Sequence, residues 1–368
     1  MSGTTSGKNG SARPLCLDVA ADAPDLAELA GQSHFLSPAP LNLAIVGCGY
    51  WGPKLLRNFH SLAHCRVRTI CDPDDCRLSA LRSVYPGLKA STDYQEVVAS
   101  NEIDAVIVAT PLRFHFPIAK AALDAGKHTF VEKPITAASR EAEELNRLAS
   151  RQRLTLMVGH TFLYTAEVRK LRELISAGAI GRLLYITGRR MHEGLVRRDC
   201  NVLWDLAPHD LSILEYILRK SPARVLCSGH AYLRPSAEDV VSLELTYDDG
   251  VFVTLLCSWL SPRKVREMTF VGTKGMIVYD DLEPAEKLRI YTRPPKSCSS
   301  AHIPLQPVSI EVRDKAEPLQ VECQHFVDCV RNESTPLSDG SSGSALVRIL
   351  EAADESLAFK RAVELQAC

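Results

Sequence analysis

Short apolar segments alternate with amphipathic segments over the first part of the chain, from residue 43 to residue 159. The apolar segments predict strands at 43–46, 67–71, 104–109, 128–132 and 154–159. Between them, apolar residues at helical spacing predict helices at 53–62, 77–85, 117–125 and 139–150. The segment 104–109 is apolar without alternation, as expected for a strand buried on both faces. Strands that alternate with helices predict right-handed βαβ units and a doubly wound parallel sheet.

The pattern changes after about residue 165, where many segments alternate with a period of two residues. This alternation predicts strands at 183–191, 223–233, 240–247, 251–259, 267–271 and 276–279. Helices are predicted at 166–177, 210–219, 318–331 and 343–360, and the Pro-rich segment 282–316 predicts irregular structure. The second part of the chain therefore predicts an α+β domain with a large, open, mostly antiparallel sheet.

The composition is that of an ordinary globular protein, with 46% hydrophobic and 24% charged residues among 368. A net charge of −1 argues against binding to nucleic acid or to an anionic membrane surface. No apolar run approaches the roughly 18–20 residues of a transmembrane helix, and the first 14 residues lack the apolar core of a signal peptide. We therefore expect a cytoplasmic protein. The 12 cysteines show no metal-ligand spacing, so no metal site is predicted.

A GxGxxG motif follows the first predicted strand and opens the first predicted helix. In this context the first glycine makes the tight turn, the second admits a diphosphate and the third allows close packing of the helix on the strand. The helix N-terminus adds free N–H groups and a dipole that favours negative charge. The motif predicts a dinucleotide site. Its predicted cofactor-binding residues are Gly47, Gly49, Tyr50, Trp51 and Gly52.

Asp72 ends the second predicted strand, about 20 residues after Gly52. A carboxylate at this position favours the ribose 2′-hydroxyl of NAD and repels the 2′-phosphate of NADP. Arg77 follows closely and suits a phosphate, so NADP stays an alternative. We expect NAD.

Two further motifs end neighbouring strands at the edge of the sheet where ligands bind in such folds. Thr110 and Pro111 follow the strand 104–109, and His115 comes soon after them. Glu132 and Lys133 end the next strand, at the start of an EKP sequence. We expect all five residues at the cofactor, although a capped strand end and a surface lysine would look the same in sequence.

Asp205 and His209 are four residues apart, so in helical geometry they share a face. A carboxylate beside an imidazole orients the ring and raises its basicity, as a general base requires. The alternative is a helix cap, in which the acidic residues at 205 or 210 serve only to begin the helix 210–219.

Together these motifs resemble the Gfo/Idh/MocA oxidoreductase family, which includes glucose–fructose oxidoreductase and inositol dehydrogenase. The resemblance covers about residues 42–360. It implies a Rossmann domain that binds NAD at 41–158 and a substrate and oligomerisation domain at 159–368, whose closing helices can pack on the first domain. Residues 1–40 predict a poorly ordered extension. The resemblance also implies that Lys133, Asp205 and His209 form the active site.

The segment before His209 departs from the glycine-rich form of many members and is similar to the branch that acts on nucleotide sugars. This implies NAD-dependent oxidation of the C3 hydroxyl of a UDP-linked amino sugar, with UDP-N-acetylglucosamine as the expected substrate. The base is either His209, held by Asp205, or Lys133. The alternatives are a ketosugar reductase, an inositol or polyol dehydrogenase, and a non-enzymatic dinucleotide-binding regulator. A regulator need not retain Lys133 and His209.

A substrate diphosphate favours arginines at the cleft, because the guanidinium group binds phosphate in a bidentate manner. Four arginines, at positions 189, 190, 197 and 198, flank the segment before the predicted active-site pair, although a solvated edge would look the same in sequence. Two polar residues follow the strand 154–159. The predicted substrate-binding residues are Lys133, His160, Tyr164, Arg189, Arg197, Asp205 and His209. Because family members commonly pack their open sheets together, the resemblance also implies a homodimer or homotetramer.

Overall fold

The computed structural model describes residues 39–193, 197, 200–235, 237–292, 307–314 and 316–365. The extension predicted at 1–40 lies outside these residues except for its last two positions. The described chain forms a six-stranded sheet and a nine-stranded sheet, with helices packed on both.

The first sheet is doubly wound and parallel, as predicted. Its strands are β1 (Leu41–Val46), β2 (Cys65–Cys71), β3 (Lys89–Ser91), β4 (Ala105–Val108), β5 (His128–Glu132) and β6 (Leu156–Gly159). The intervening helices are α1 (Gly52–Ser61), α2 (Asp75–Val84), α3 (Tyr94–Ala99), α4 (His115–Asp124) and α5 (Ser139–Gln152). The strands lie in the order β3-β2-β1-β4-β5-β6. The order reverses between β1 and β4, where the carboxyl ends of the strands leave a crevice for a ligand.

Apolar side chains cover both faces of this sheet. Along β1, Leu43 and Ile45 belong to one core, and Ala44 and Val46 belong to the core on the opposite face. All four residues of β4 are buried. Two-sided burial explains why these strands appear in the sequence as continuous apolar runs.

The second sheet is mixed and mostly antiparallel, which confirms the predicted fold class. Helix α6 (Ala166–Ser176) precedes this sheet in the chain, and helix α7 (Val202–Leu218) follows the sheet's first strand. Its strands are β7 (Leu183–Met191), β8 (Arg224–His230), β9 (Val240–Thr246), β10 (Phe252–Ser258), β11 (Val265–Gly272), β12 (Gly275–Asp280), β13 (Leu288–Thr292), β14 (Pro307–Ser309) and β15 (Val363–Glu364). They lie in the order β14-β13-β12-β11-β7-β10-β9-β8-β15. Of the neighbouring strands described in this sheet, β7 and β10 run parallel to each other. Helix α7 packs on β7, β9 and β10.

Two closing helices, α8 (Pro318–Asn332) and α9 (Gly340–Phe359), return to the first domain. Helix α8 packs against α1, and Phe326 meets Phe59 and Phe130 edge to face, with ring centroids 6.2 and 5.8 Å apart. Helix α9 packs against α5 and also against β8 and α7. The closing helices therefore join the two sheets.

Three segments differ from the sequence prediction. The segment 282–316, for which irregular structure is predicted, contains β13 and β14. Residues 89–99, where the pattern predicts no element, form β3 and α3. Helix α7 begins at Val202 rather than at residue 210, because the side chain of Asn201 accepts a hydrogen bond from the N–H of Trp204 at 3.2 Å and caps the helix.

Gly52→Ala should destabilise the protein, because a Cβ at this position would overlap the carbonyl oxygen of Gly47 where α1 approaches β1. We expect a loss of about 1–3 kcal/mol in the free energy of unfolding, measured by urea denaturation. Gly87→Ala is the matched control, because a Cβ there meets no atom within 4 Å. Equal stability of the two variants would contradict the packing role of Gly52.

Candidate active site

The glycine loop joins β1 to α1 at the crevice. Gly47 has a φ of 99°, a left-handed conformation that favours glycine. A Cβ at Gly49 would meet the Arg77 guanidinium no closer than 3.8 Å, so the loop leaves space beside this residue. Trp51, the residue before α1, forms no side-chain cap, and the helix N-terminus is therefore available to an anion. The loop fits a dinucleotide diphosphate.

Asp72 holds the glycine loop in place. Its Oδ2 accepts the N–H of Cys48 at 2.7 Å, and its Oδ1 accepts the N–H of Asp74 at 3.0 Å. The Arg77 guanidinium lies 3.6 Å from Oδ2. Each carboxylate oxygen can accept a further hydrogen bond, so the residue keeps capacity for a ribose hydroxyl. Arg77 is close enough to influence the choice between NAD and NADP.

His115 is buried between two loops that end neighbouring strands. Its Nε2 lies 2.8 Å from the carbonyl oxygen of Thr110, and its Nδ1 lies 2.8 Å from that of Pro134. The ring is 2% exposed, so His115 positions the two loops from within the protein. Thr110 Oγ1 is buried without a hydrogen-bond partner, which marks it as a site for a cofactor hydrogen bond. Pro111 directly precedes a 3-10 turn, Leu112–Phe114.

Lys133 crosses the cleft from the end of β5 to the start of α7. Its Nζ donates a hydrogen bond to the main-chain oxygen of Asp205 at 2.9 Å and lies 3.9 Å from the carboxylate Oδ1. Burial lowers the pKa of Lys133, and the carboxylates of Asp205 and Glu132 oppose this effect. The structure therefore brings Lys133 and Asp205 together, as predicted.

The carboxylate of Asp205 is oriented by groups other than His209. Trp259 Nε1 donates to Oδ2 at 3.0 Å, and Arg197 Nη1 lies 3.6 Å from Oδ1. Among the hydrogen bonds of the described residues, none joins the Asp205 side chain to His209. Because both residues lie within α7 rather than before it, helical spacing places them on one side without requiring contact.

His209 meets the aromatic ring of Phe162 edge to face, with ring centroids 5.2 Å apart. Burial lowers the pKa of His209 well below its usual value, and Lys133, Arg190 and Arg266 lower it further. The ring is therefore neutral near pH 7 and can accept a proton.

His160 also belongs to the cleft, at the carboxyl end of β6. It is buried, and its Nδ1 has no hydrogen-bond partner. Burial lowers the pKa of His160 to about 3, and the charge of Lys133 contributes. A neutral ring with an unpaired nitrogen fits a residue whose partner is a ligand.

Two predicted substrate-binding residues lie away from this group. Arg189 is on the exposed face of the second sheet, where it pairs with Glu267 at 2.7 Å. Its neighbour Arg190 points to the opposite face and pairs with Asp210 at 2.6 Å inside the protein. Tyr164 is in the core, where its hydroxyl lies 3.0 Å from Ser338 Oγ.

The sequence analysis missed two aromatic residues of the site, Phe162 and Trp259. Phe162 contacts His209, and the guanidinium of Arg190 is 4.6 Å from its ring centroid. Trp259 follows the end of β10 and orients Asp205. Aromatic residues at strand ends are common in cores, so the sequence carries no signal that separates these two.

The structure adds three observations on the described residues. No helix in this part of the chain is long and apolar enough to cross a membrane. No three His, Cys, Asp or Glu side chains within it cluster in a way that could hold a metal ion. Burial raises the pKa of the Cys48 thiol in the glycine loop to about 12, so this cysteine stays protonated.

A Rossmann domain whose cleft gathers a lysine, an aspartate and a histidine defines an oxidoreductase that depends on a dinucleotide. The chain belongs to the Gfo/Idh/MocA family. Residues 41–160 match the model "Oxidoreductase family, NAD-binding Rossmann fold", and residues 168–278 match "GFO/IDH/MocA C-terminal domain". The predicted family and class of enzyme are thereby confirmed.

Individual relatives are distant. The chain is 25% identical to UDP-N-acetylglucosamine 3-dehydrogenase of Acidithiobacillus ferrooxidans over 85% of this chain and 95% of that protein. It is 28% identical to inositol 2-dehydrogenase of Corynebacterium glutamicum over 48% of this chain and 54% of that protein. The crystal structure of GenD2 from gentamicin A biosynthesis, in complex with NAD, has the same fold, with a TM-score of 0.78 and 23% identity over 91% of this chain and 98% of that one.

His209 should remain neutral at pH 6 in the free protein, because burial and the surrounding cations lower its pKa. A histidine in the unfolded chain, with a pKa near ~6.5, is largely protonated at that pH. Nitrogen-15 NMR of histidine-labelled protein, with His209→Gln for assignment, measures the protonation state. A His209 ring that is protonated at pH 6 would contradict the environment described for it.

Proposed function

We propose that this enzyme oxidises the C3 hydroxyl of UDP-N-acetylglucosamine to the 3-keto sugar with NAD. The observation that carries the proposal is the grouping of Lys133, Asp205 and His209 at the cleft beside the glycine loop. Oxidation of a secondary alcohol needs a base for the hydroxyl proton and an acceptor for the hydride. Bound NAD would supply the hydride acceptor. The protein residues supply the base and the electrostatic stabilisation.

His209 is proposed as the general base. The lowered pKa keeps the ring neutral and able to accept the hydroxyl proton, but it also makes His209 a weaker base than an ordinary imidazole. Lys133 stabilises the negative charge that develops on the oxygen, since its ammonium group is held at the cleft by Asp205. The opposite assignment, with Lys133 as the base, is the alternative, because burial lowers the pKa of Lys133 as well.

Cations and acids balance around the cleft. Lys133, Arg266 and Arg190 act on His209, but Asp281 pairs with Arg266 at 3.0 Å and Asp210 pairs with Arg190. Asp205 and Glu132 act on Lys133, and Arg197 lies beside Asp205. Guanidinium groups can bind phosphate, so the arrangement is compatible with a nucleoside diphosphate sugar without requiring one. The relative that oxidises UDP-N-acetylglucosamine matches most of the chain, which agrees with this choice.

The second candidate is an inositol or polyol dehydrogenase, or a ketosugar reductase, built on the same fold. The match to inositol 2-dehydrogenase favours it, although that match covers about half of each protein. NAD is the proposed cofactor in both cases, since Asp72 ends β2 at the position that suits a ribose 2′-hydroxyl.

Purified protein mixed with NAD and UDP-N-acetylglucosamine should produce reduced cofactor, followed by its absorbance. NADP in place of NAD should give a lower kcat/KM, because Asp72 repels a 2′-phosphate. Production of reduced cofactor with inositol or free glucose, and none with the nucleotide sugar, would contradict the proposed substrate.

Lys133→Ala and His209→Ala should each lower kcat by about 100-fold or more, since each removes a group that acts on the reacting oxygen. The general base must be deprotonated to act, so its pKa determines the decline of kcat/KM at low pH. This decline should disappear in the variant that lacks the base. Arg151→Ala is the control, because Arg151 is exposed in the last turn of α5. A near wild-type rate in either active-site variant would remove that residue from the mechanism.

We also propose that the exposed face of the nine-stranded sheet forms the interface of a dimer or tetramer. Tyr185 and Phe252 are neighbours on this face, and they are 43% and 39% exposed. Phe252→Lys should therefore reduce the molar mass measured by light scattering after size-exclusion chromatography. Val84→Lys, an exposed position at the end of α2, is the control. A monomeric wild-type protein would contradict the proposal.

A further inference from the structure

Two buried carboxyl groups from distant parts of the chain lie at the carboxyl edge of the parallel sheet. Glu132 is the last residue of β5, and Glu322 belongs to the closing helix α8. Glu322 is 0% exposed and Glu132 is 7% exposed. Helix α8 reaches this position because it packs on the turn Thr161–Tyr164, which follows β6 at the carboxyl edge of the parallel sheet. Acidic residues in amphipathic helices are usually exposed, so the sequence does not single out Glu322.

The hydrogen bonds of these carboxyl groups are few. Thr161 Oγ1 donates to Glu322 Oε2 at 2.7 Å, and Glu322 Oε1 is buried without a partner. The backbone N–H of Lys133 donates to Glu132 Oε2 at 3.2 Å. A fully buried carboxylate that accepts one hydrogen bond from a neutral hydroxyl is strongly disfavoured as an ion. Glu322 is therefore in an environment that favours its protonated form.

Lys133 acts on one of the two acids. Burial raises the pKa of Glu132 to about 7, and Lys133 is the charged group that opposes this shift. Burial and the charge of Glu132 both raise the pKa of Glu322 well above its usual value. The other titratable groups that face Glu322 are Tyr164 and Cys323, whose own pKa values burial raises, so they stay neutral. Glu322 therefore stays protonated when Glu132 is charged.

We propose that Glu322 keeps its proton at neutral pH, that Glu132 is the one of the two acids that ionises, and that both residues help to position Lys133. Glu132 accepts the Lys133 backbone N–H and offsets its ammonium charge. Glu322 holds Thr161, the residue after His160, at the other side of the cleft. Glu322 is thus a positioning residue, which acts through its neighbours rather than on the reacting atoms. The inference rests on the proposed function only for the catalytic role of Lys133.

Difference infrared spectroscopy tests the proton on Glu322 without any substrate. The wild-type protein at neutral pH should show the carbonyl stretch of a protonated carboxyl group that is absent from Glu322→Gln. Glu317→Gln is the matched control on the same helix, where the side chain is exposed and pairs with Arg57. Identical carbonyl bands in the wild type and Glu322→Gln would overturn the assignment of the proton to Glu322.

Stability as a function of pH gives a second readout. A raised pKa in the folded state means that the unfolded chain releases a proton that the folded protein keeps, so wild-type stability falls as pH rises above the unfolded pKa of about 4.3. Glu322→Gln has no proton to release at this position, so unfolding of this variant lacks that dependence on pH. Between about pH 5.5 and 7.5 its stability relative to the wild type should rise, by up to tenfold in the unfolding constant per pH unit. A difference that does not change with pH would overturn the proposal.

Turnover tests the positioning role separately. Glu322→Leu should lower kcat about tenfold, because Thr161 loses its hydrogen-bond acceptor and the ends of β5 and β6, which carry Lys133 and His160, can shift. Glu322→Gln keeps the hydrogen-bonding groups without a proton to lose, and it should recover most of this loss at pH 7. Equal impairment of both variants, or of neither, would contradict the positioning role. If no substrate is turned over by the wild type, the proposed function fails, whereas the infrared and stability results still decide the state of the pair.

Discussion

The contact between Lys133 and Asp205 is the interaction on which the arrangement of the cleft depends. It joins the carboxyl edge of the parallel sheet to the first turn of α7 through a hydrogen bond of 2.9 Å. Both side chains are largely buried, and a buried ammonium group is tolerated only when polar partners surround it. The need to satisfy Lys133 therefore requires the second domain to present Asp205 at this position.

The rest of the site follows from how α7 is held. Asn201 caps the helix, and the indole of Trp204 donates to Asp354 of α9 at 2.6 Å. The helix carries His209 to the ring of Phe162 and places Asp210 against Arg190. As a result a neutral imidazole lies close enough to the ammonium group of Lys133 to feel its charge, at the carboxyl edge of the parallel sheet. This combination suits the removal of a proton from an alcohol and the stabilisation of the oxygen that remains.

Much of this could be predicted from the sequence because local rules determine it. Fully apolar strands, the glycine loop and the residues at strand ends indicated the first domain and placed Lys133 correctly. The contacts of Asp205 could not be predicted, since they depend on Trp259 from a distant strand. Arg189 and Arg190 are adjacent in sequence but lie on opposite faces of a strand, so only the sheet packing shows which one is buried. Glu322 reaches the site through the packing of a helix that is almost 200 residues away from Lys133 in the chain.

A double-mutant cycle on Lys133 and Asp205 tests the central claim most directly. Steady-state kcat and KM would be measured for Lys133→Met, for Asp205→Asn and for the double variant. If the two residues act as one unit, the double variant should be no slower than the slower single variant, because either change already removes the ion pair between the two side chains, whereas Asp205→Asn keeps the main-chain oxygen that accepts from Lys133. Losses in kcat that multiply in the double variant would show that the residues act independently and would contradict the account.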